Sequence, residues 1–222
     1  MRSLEEHQLD SLLSDATTIE ADGHGVKVAC LADGDYLKLF RRKRLLSSAL
    51  WSPQASRFAS NAAKLARMGI PVPQIIDTFK VPSRALNGVI YRPLPGQTLR
   101  SHWRDLGNVK READICRFGA FLGLLHEQGI YFRSLHLGNV LLLPDNRFGL
   151  IDFSDMRIAR RPLGKNLRRR NLQHLLRYEV DRNWLVLEHR PALLRGYATR
   201  CGSEAATRLN MGIQALVDSH QA

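Results

Sequence analysis

The hydrophobic pattern of the first third of the chain is that of short strands. Two β-prone runs, TTIEAD and VKVACLA, lie on either side of Gly23-His24-Gly25. The turn sequence Asp33–Asp35 then leads into YLKLF, where apolar and basic residues alternate. Alternation with a period of two, broken by short glycine-containing turns, is the pattern of β-hairpins. It predicts a small antiparallel sheet.

The next segment predicts a helix and its boundaries. Pro53, directly after Ser52, suits the first turn of a helix that runs to Met68 and stops at Gly69. The prolines in GIPVP hold the chain extended beyond this helix. NGVIYRPLPGQTL then predicts a strand that breaks into a loop rich in proline and glycine.

The second half of the chain has mostly helical periodicity. Ile115, Phe118, Leu122 and Leu125 recur at three- and four-residue steps, and Gly129 ends that helix. VLLL and FGLI flank the turn sequence PDNR and predict a hairpin. NLQHLLRY and EAATRLNMGIQALVDS predict further amphipathic helices. Strands followed by helices predict an α+β fold with a sheet lobe, residues 1–93, and a helical lobe, residues 94–222.

Composition narrows the class of protein. The chain has 222 residues, 44% of them hydrophobic and 24% charged, which is enough to bury a core. Its three cysteines are widely spaced and form no C-x-x-C, so we expect neither disulfides nor a zinc site. The N-terminal segment lacks the apolar run of a signal peptide, and no run approaches the roughly 18 apolar residues that span a bilayer. These features predict a soluble, cytoplasmic protein.

The net charge of +12, from 33 basic and 21 acidic residues, favours an anionic partner. Two clusters carry much of it, RRKR from Arg41 to Arg44 and RIARRPLGKNLRRR from Arg157 to Arg170. Nucleic acid, acidic lipid headgroups and a phosphorylated substrate would all fit this charge. A nucleic-acid partner is not expected, because no zinc-finger or RNA-recognition motif accompanies the basic residues.

Three polar residues stand at a spacing that phosphoryl transfer uses. Asn139 lies five residues after Ser134, and Asp152 lies thirteen residues after Asn139. In kinases an Asn and an Asp bind magnesium, and a lysine on a strand binds phosphate oxygens. A carboxylate five residues before the Asn orients the attacking hydroxyl. The spacing therefore predicts a magnesium-binding pair on either side of the hairpin.

The surrounding residues resemble a known group of enzymes. LLHEQGIYFRSLHLGN and LIDFSD resemble the LH-x-x-G-I-x-H-x-D-L-H-x-G-N and IDF segments of kinase-like phosphotransferases such as the aminoglycoside phosphotransferases. Among these enzymes the chain most resembles the lipopolysaccharide core heptose kinases, because it is short and has a basic run after Asp152. The resemblance covers roughly residues 17–190.

The resemblance implies a minimal bilobal protein-kinase-like fold with ATP and Mg²⁺ bound between the lobes near residue 93. It implies that Lys38 of YLKLF is the phosphate-binding lysine. It also implies that Gly23 and Gly25 form a reduced phosphate-covering loop and that Tyr91 belongs to the inter-lobe hinge.

The sequence departs from the family pattern in two places. Ser134 stands where the catalytic aspartate is expected, and a serine hydroxyl does not take up a proton at neutral pH. His136 is then either a substitute base or a residue that orients the loop by hydrogen bonding, and both remain open. No Asp or Glu occurs from Tyr36 to Ile76, so Lys38 must pair with Asp152, with phosphate, or with a polar group such as Asn61.

The resemblance implies an ATP- and Mg²⁺-dependent phosphotransferase acting on a sugar hydroxyl of a lipopolysaccharide core intermediate. Its basic clusters would hold phosphates of the glycolipid and acidic headgroups, which places the protein peripherally on the inner face of the cytoplasmic membrane. The alternative is a pseudokinase that acts through a partner without transferring phosphate. The missing aspartate favours the alternative, whereas Asn139 and Asp152 favour the enzyme. His126, at the end of a helix, is expected to be a packing residue.

Overall fold

The computed structural model describes residues 1–41 and 53–221, with side chains through Asp218. The chain divides into two units, one of Met1–Pro95 with Asp152–Ser154 and one of Gly96–Ile151 with Asp155–Ala222. The fold is the α+β, bilobal kinase-like fold that the sequence predicts. Residues 42–44 of the first basic cluster, and Ser52 before the predicted helix, lie outside the described residues.

The first unit is built on a six-stranded sheet in the order β1-β5-β6-β4-β3-β2. Strand β1 joins β5 in parallel, and the other neighbours pair antiparallel. The strands are β1 (Arg2–Ser3), β2 (Thr17–Asp22), β3 (Gly25–Cys30), β4 (Tyr36–Arg41), β5 (Gln74–Val81) and β6 (Leu86–Arg92). The helices are α1 (Glu6–Ser14) and α2 (Gln54–Arg67).

Three of these elements, β1, α1 and β5, were not predicted from the sequence. Leu4 and Leu9 of the N-terminal segment are buried in the same cluster as Leu37 and Phe79. Glu5 and Gln8 form a reciprocal capping box that begins α1. The apolar residues of this segment are too sparse to give a clear period, so its structure depends on packing against the sheet.

Alternation along β4 decides where its lysine points. Leu37 and Leu39 belong to the apolar cluster on one face of the sheet. Because successive strand residues point to opposite faces, Lys38 and Phe40 lie on the other face. That face is covered by α2, whose Phe58 ring centre lies 6.1 Å from that of Phe40.

The second unit is mostly helical. Its helices are α3 (Leu99–Arg104), α4 (Asn108–Glu127), α5 (Lys165–Leu175), α6 (Glu179–Arg182), α7 (Arg190–Cys201) and α8 (Ser203–Gln221), with a π-helical turn at Asn183–Glu188. Its short strands are β7 (Gln97–Thr98), β8 (Ile130–Tyr131), β9 (Val140–Leu142), β10 (Phe148–Leu150) and β11 (Arg157–Ile158). They form a three-stranded sheet, β10-β9-β7, and a two-stranded sheet, β11-β8.

The predicted helix and hairpin of this unit are confirmed. Ile115, Phe118, Leu122 and Leu125 are all buried along α4. Gly129 follows the helix with φ +73°, a left-handed conformation that glycine adopts without the steric cost of a side chain. Within residues 1–41 and 53–221, no helix is both long enough and apolar enough to cross a membrane.

Candidate active site

The strand lysine of the first unit forms an ion pair with the aspartate that follows the hairpin. Lys38 Nζ lies 2.5 Å from Asp152 Oδ1. The Lys38 side chain is only 16% exposed, and its amine also lies 5.8 Å from the ring centres of Phe40 and Phe58. Asp152 has φ +55°, so its backbone is in the left-handed region that Asp tolerates better than most residues. A cation and an anion are thus held together against an aromatic wall.

Helix α2 fixes this segment without supplying a carboxylate. Asn61 is buried and donates a hydrogen bond from Nδ2 to the carbonyl of Phe153 at 2.9 Å. The Phe153 ring stacks on Phe58 with centres 4.3 Å apart. Of the three partners that the sequence left open for Lys38, the structure selects Asp152, and it uses Asn61 to hold the backbone beside it.

A cavity of about 880 Å³ opens in front of Lys38 and Asp152. Its charged and polar lining includes His24 and Arg41, and also four residues that were not predicted from the sequence, namely Glu20, Asp22, Lys27 and Arg84. Lys27 pairs with Glu20, and this hydrogen bond is the largest reason why the pKa of the lysine is raised. Glu20 and Asp22 are two residues apart in β2, and in a strand this spacing places both side chains on one face. The spacing could therefore have indicated from the sequence that the two carboxylates share a surface.

The Gly23-His24-Gly25 segment is a tight hairpin turn between β2 and β3. The His24 amide donates to Asp22 Oδ1 at 2.9 Å, and Gly25 has φ +106°. Arg41 Nη2 donates to the His24 carbonyl at 2.5 Å, which ties the turn to β4. Asp22 and His24 line the cavity, whereas the two glycines supply the turn conformation.

Tyr91 is a core residue of the first unit. It is 9% exposed, and its ring centre lies 5.9 Å from that of Tyr36 and 5.7 Å from that of Phe58. Burial raises the pKa of its hydroxyl well above the ordinary value. The structure therefore places this predicted nucleotide-binding residue in an aromatic cluster rather than among the side chains that line the cavity.

The loop that carries Ser134 and Asn139 lies in the second unit and is closed by its own hydrogen bonds. Asn139 Nδ2 donates to the Ser134 carbonyl at 2.8 Å. The Asn139 amide donates to the His136 carbonyl at 2.9 Å, and its carbonyl accepts from the Ile151 amide at 3.1 Å. Since the side-chain nitrogen is committed to Ser134, the amide oxygen Oδ1 is the atom that Asn139 offers to a ligand.

His136 is held by its neighbours in the loop. Its Nδ1 accepts a hydrogen bond from the Gly138 amide at 3.1 Å and lies 3.4 Å from Arg100 Nη2. A neutral imidazole that accepts at Nδ1 carries its proton on Nε2 and has no further lone pair for a substrate proton. Of the two roles left open for His136, this geometry favours orientation of the loop.

A buried ion pair beneath this loop was missed by the sequence analysis. Asp181 is fully buried and accepts from Arg100 Nε at 2.8 Å and Nη2 at 2.9 Å. It also accepts from the Leu137 amide at 3.0 Å, so the pair positions the loop backbone directly. Nothing in YEVDRNW distinguishes this aspartate from a solvated one, because its partners lie far away along the chain.

His126 is the packing residue that the sequence predicts. It is fully buried, and its Nδ1 lies 2.9 Å from the Tyr197 hydroxyl. Burial, reinforced by the nearby charge of Arg168, lowers the pKa of His126 to about 3. The imidazole is therefore neutral at physiological pH.

The polar groups fit the nucleotide and metal that a kinase uses. Lys38, Lys27 and Arg41 are cations suited to phosphate oxygens. In the first unit the carboxylate of Asp152 is a hard oxygen donor of the kind that magnesium prefers, and in the second unit the amide oxygen of Asn139 is another. No group of three or more His, Cys, Asp or Glu residues capable of holding a metal occurs in the described part of the chain. That is compatible with magnesium, which is commonly bound by one or two carboxylates together with substrate phosphates.

The fold is of the kinase-like class. Within that class, residues 94–197 match the model of the lipopolysaccharide kinase (Kdo/WaaP) family, which confirms the resemblance seen in the sequence. The match contains Ser134, His136, Asn139 and Asp152, whereas Lys38, Gly23, Gly25 and Tyr91 precede it. No curated protein sequence matches the chain significantly. The family match supports a phosphotransferase of the lipopolysaccharide-kinase type as the general class.

Proposed function

We propose that the protein transfers the γ-phosphate of ATP, in the presence of Mg²⁺, to a sugar hydroxyl of a lipopolysaccharide core intermediate. The observation that carries this proposal is the Lys38–Asp152 ion pair, which lines a cavity together with further cationic side chains. The family match over residues 94–197 supplies the class of acceptor. An ordinary surface lysine is neither mostly buried nor paired with a distant aspartate. Lys38 is both, because its side chain is 16% exposed and its partner lies 114 residues further along the chain.

In this proposal Lys38 binds phosphate oxygens of the nucleotide, and Asp152 and Asn139 provide oxygen ligands for magnesium. The ion, when bound, neutralises charge that develops on the transferred group. Phosphoryl transfer has a loose transition state, so positioning and electrostatic stabilisation provide most of the acceleration. Lys27 and Arg41 line the same cavity and add positive charge on the β2–β3 side. The Gly23–Gly25 turn, tied down by Arg41, covers the phosphates in the way the resemblance implies.

The acceptor hydroxyl has no evident base in the loop. Ser134 replaces the aspartate, and His136 is committed at Nδ1 to Gly138 and Arg100. General-base assistance is typically worth about 10²- to 10⁴-fold. We therefore propose a slow enzyme that works through positioning and charge, in which Ser134 hydrogen-bonds the acceptor and His136 orients the loop.

The partner in this proposal is a phosphorylated glycolipid at the inner face of the cytoplasmic membrane. Residues 156–178 contain eight Lys or Arg and no Asp or Glu. Each basic residue near an anionic surface contributes about 1 kcal/mol to association. This segment supports peripheral attachment of the protein beside its acceptor.

A pseudokinase is the second candidate, favoured by the commitment of His136 at Nδ1 together with Ser134. The two candidates share nucleotide binding and differ in transfer. Calorimetry with ATP and Mg²⁺, followed by phosphate transfer to a lipopolysaccharide core acceptor, separates them. The enzyme predicts both, whereas the pseudokinase predicts binding without transfer.

Lys38→Met is the critical variant, and Lys64→Met is its matched control because Lys64 is exposed on α2. We expect the first to lose nucleotide binding and the second to keep it. If the wild-type protein binds no nucleotide at about 1 mM, the upper end of usual KM values, the enzymatic proposal is wrong.

A further inference from the structure

The basic run of the second unit contains one arginine that differs from the rest. Arg168 is turned inward, where its guanidinium donates to Glu127 at 2.7 Å, to the Tyr197 hydroxyl at 2.7 Å and to the Leu163 carbonyl at 2.7 Å. It is a structural residue that joins α5 to α4 and α7. The other basic residues between 157 and 177 are exposed.

Helix α5 brings part of this run beside the loop that carries Ser134. Asn171 is fully buried and donates from Nδ2 to the Phe132 carbonyl at 2.7 Å. One turn further, His174 Nε2 lies 3.1 Å from the Tyr131 hydroxyl. Two contacts thus anchor the helix along residues 131 and 132, immediately before Arg133 and Ser134.

Three arginines lie near His174. Arg170 and His174 are four residues apart on α5 and therefore share a face, and Arg177 continues this line just beyond the helix end. Arg133 approaches from the anchored loop. Partial burial and then the positive charges of Arg133, Arg177 and Arg170 lower the pKa of the imidazole. The positive charge of all three arginines therefore acts on this one ring.

Within residues 1–41 and 53–218, none of the three arginines forms an ion pair with a carboxylate. Arg177 instead lies 4.9 Å from the ring centre of Tyr178, whose ring also contacts Arg100 at 4.3 Å. Glu179, the first carboxylate after the run, is exposed. Like charges held together without an anion destabilise one another and thereby favour an anionic ligand.

We propose that Arg133, Arg170 and Arg177, grouped around His174, bind a phosphate group already carried by the acceptor. Guanidinium groups form paired hydrogen bonds with phosphate oxygens, and three of them match a dianionic monoester better than a diester. Arg133 is the residue before Ser134, so the site would anchor the acceptor next to the loop that faces its hydroxyl. The assignment to the acceptor rests on the proposed function, but the anion site itself does not.

The first test follows the imidazole of His174 by NMR in the full chain while inorganic phosphate is added. Phosphate at the cluster should offset the arginine charges and raise the pKa of His174. Arg133→Gln/Arg177→Gln should raise this pKa without phosphate and weaken its response to phosphate by about tenfold or more. The control Arg104→Gln/Arg200→Gln removes the same charge from exposed positions and should behave like wild type. A His174 pKa that ignores phosphate, or a control as impaired as the test variant, overturns the site.

The second test separates a sugar phosphate from a lipid headgroup. Phosphorylated lipopolysaccharide core should compete with inorganic phosphate at His174, whereas the dephosphorylated core should not. Vesicles containing phosphatidylglycerol should bind the Arg133→Gln/Arg177→Gln variant nearly as well as the control, because seven of the eight Lys or Arg of residues 156–178 remain. If the test variant selectively loses vesicle binding while competition by phosphorylated core is unchanged, the cluster binds headgroups and the assignment to the acceptor is wrong.

These readouts require no nucleotide. Loss of ATP binding in Lys38→Met leaves the His174 response unchanged if the anion site is real. A wild-type protein that responds to phosphate at His174 but binds no ATP would overturn the proposed function and retain the anion site. A wild-type protein that binds ATP but shows no response of His174 to phosphate would support nucleotide binding and overturn the anion site.

Discussion

The amine of Lys38 lies 2.5 Å from Oδ1 of Asp152, a residue 114 positions further along the chain. Helix α2 packs on the same face of the sheet but contains no carboxylate, so within the first unit this lysine depends on Asp152 alone for an ion pair among the described residues. The pair is partly exposed, and exposed pairs are worth only about 0–1 kcal/mol. Its small contribution to folding makes a role in ligand binding the better account of its placement.

Asp152→Asn should therefore weaken magnesium-dependent ATP binding by at least about tenfold, with little change in the melting temperature. Asparagine tolerates the left-handed backbone at φ +55°, so the substitution removes the charge without new strain. Asp152→Ala should additionally lose about 1–2 kcal/mol of stability from that backbone conformation. Calorimetry and thermal melts measure both effects.

Asp105→Asn is a suitable control, because Asp105 is exposed at the end of α3 and lies far from Lys38 in sequence. It should leave nucleotide binding unchanged. Equal binding by wild type and Asp152→Asn would mean that Asp152 serves only as a turn residue.

The parts of the fold that the sequence predicts are those determined by local pattern. Period-two alternation identified β4 and thus the direction of Lys38, and three- and four-residue steps identified α4. The hairpin around PDNR followed from turn chemistry, and Asn146 at its tip has φ +62°. Each depends on residues close together in the chain.

What the sequence did not predict depends on distant partners. Asp181 is buried only because Arg100, 81 residues earlier, neutralises it. The N-terminal strand and helix are ordered by packing against β5 and the sheet core. The sequence allowed three possible partners for Lys38, because the local pattern does not determine which distant residue contacts it. The partner in the structure, Asp152, lies 114 positions further along the chain.

Close contact between α4 and α7 predicts the most damaging glycine substitution. A Cβ at Gly196 would overlap the carbonyl oxygen of Cys116, and one at Gly119 would overlap that of Leu193. Neither neighbour is a flexible side chain, so the helices must separate. Gly196→Ala should destabilise the protein by about 1–3 kcal/mol or more, as measured by urea unfolding.

Gly212→Ala in α8 is the matched control. Its added methyl group would meet Leu172 Cδ1 at 3.6 Å, an ordinary contact. Alanine is a better helix former than glycine by about 1 kcal/mol, so this variant should be neutral or slightly more stable. Destabilisation of both variants to the same extent would contradict the close helix packing.

His126 should make folding stability depend on pH. Its pKa is 6.5 in the unfolded chain and about 3 when folded, so below pH 6.5 the unfolded state binds a proton that the folded state does not. Stability is therefore complete above pH 6.5 and falls toward pH 3. Between pH 7.5 and pH 5 this single group should cost about 2 kcal/mol.

His126→Gln removes that proton uptake and retains a polar group for Tyr197. Its overall stability should fall, but the loss between pH 7.5 and pH 5 should be smaller than in wild type by about the same 2 kcal/mol. Urea unfolding at the two pH values measures the difference. Parallel losses in both proteins would mean that His126 is protonated in the folded state.

Ser134 offers the sharpest test of whether the chain is a slow enzyme. Asn139 Nδ2 binds the Ser134 backbone carbonyl rather than its side chain, so replacing the side chain leaves the loop closure intact. Ser134→Asp would restore the carboxylate that orients an acceptor hydroxyl and should raise kcat, by tens-fold or more within the range of general-base assistance. Nucleotide affinity should change little, and the gain should vanish when Lys38→Met is added. Phosphate transfer to lipopolysaccharide core, measured at saturating ATP, is the assay. If Ser134→Asp binds ATP but remains inactive with every core acceptor, the loop is not catalytic and the pseudokinase interpretation is correct.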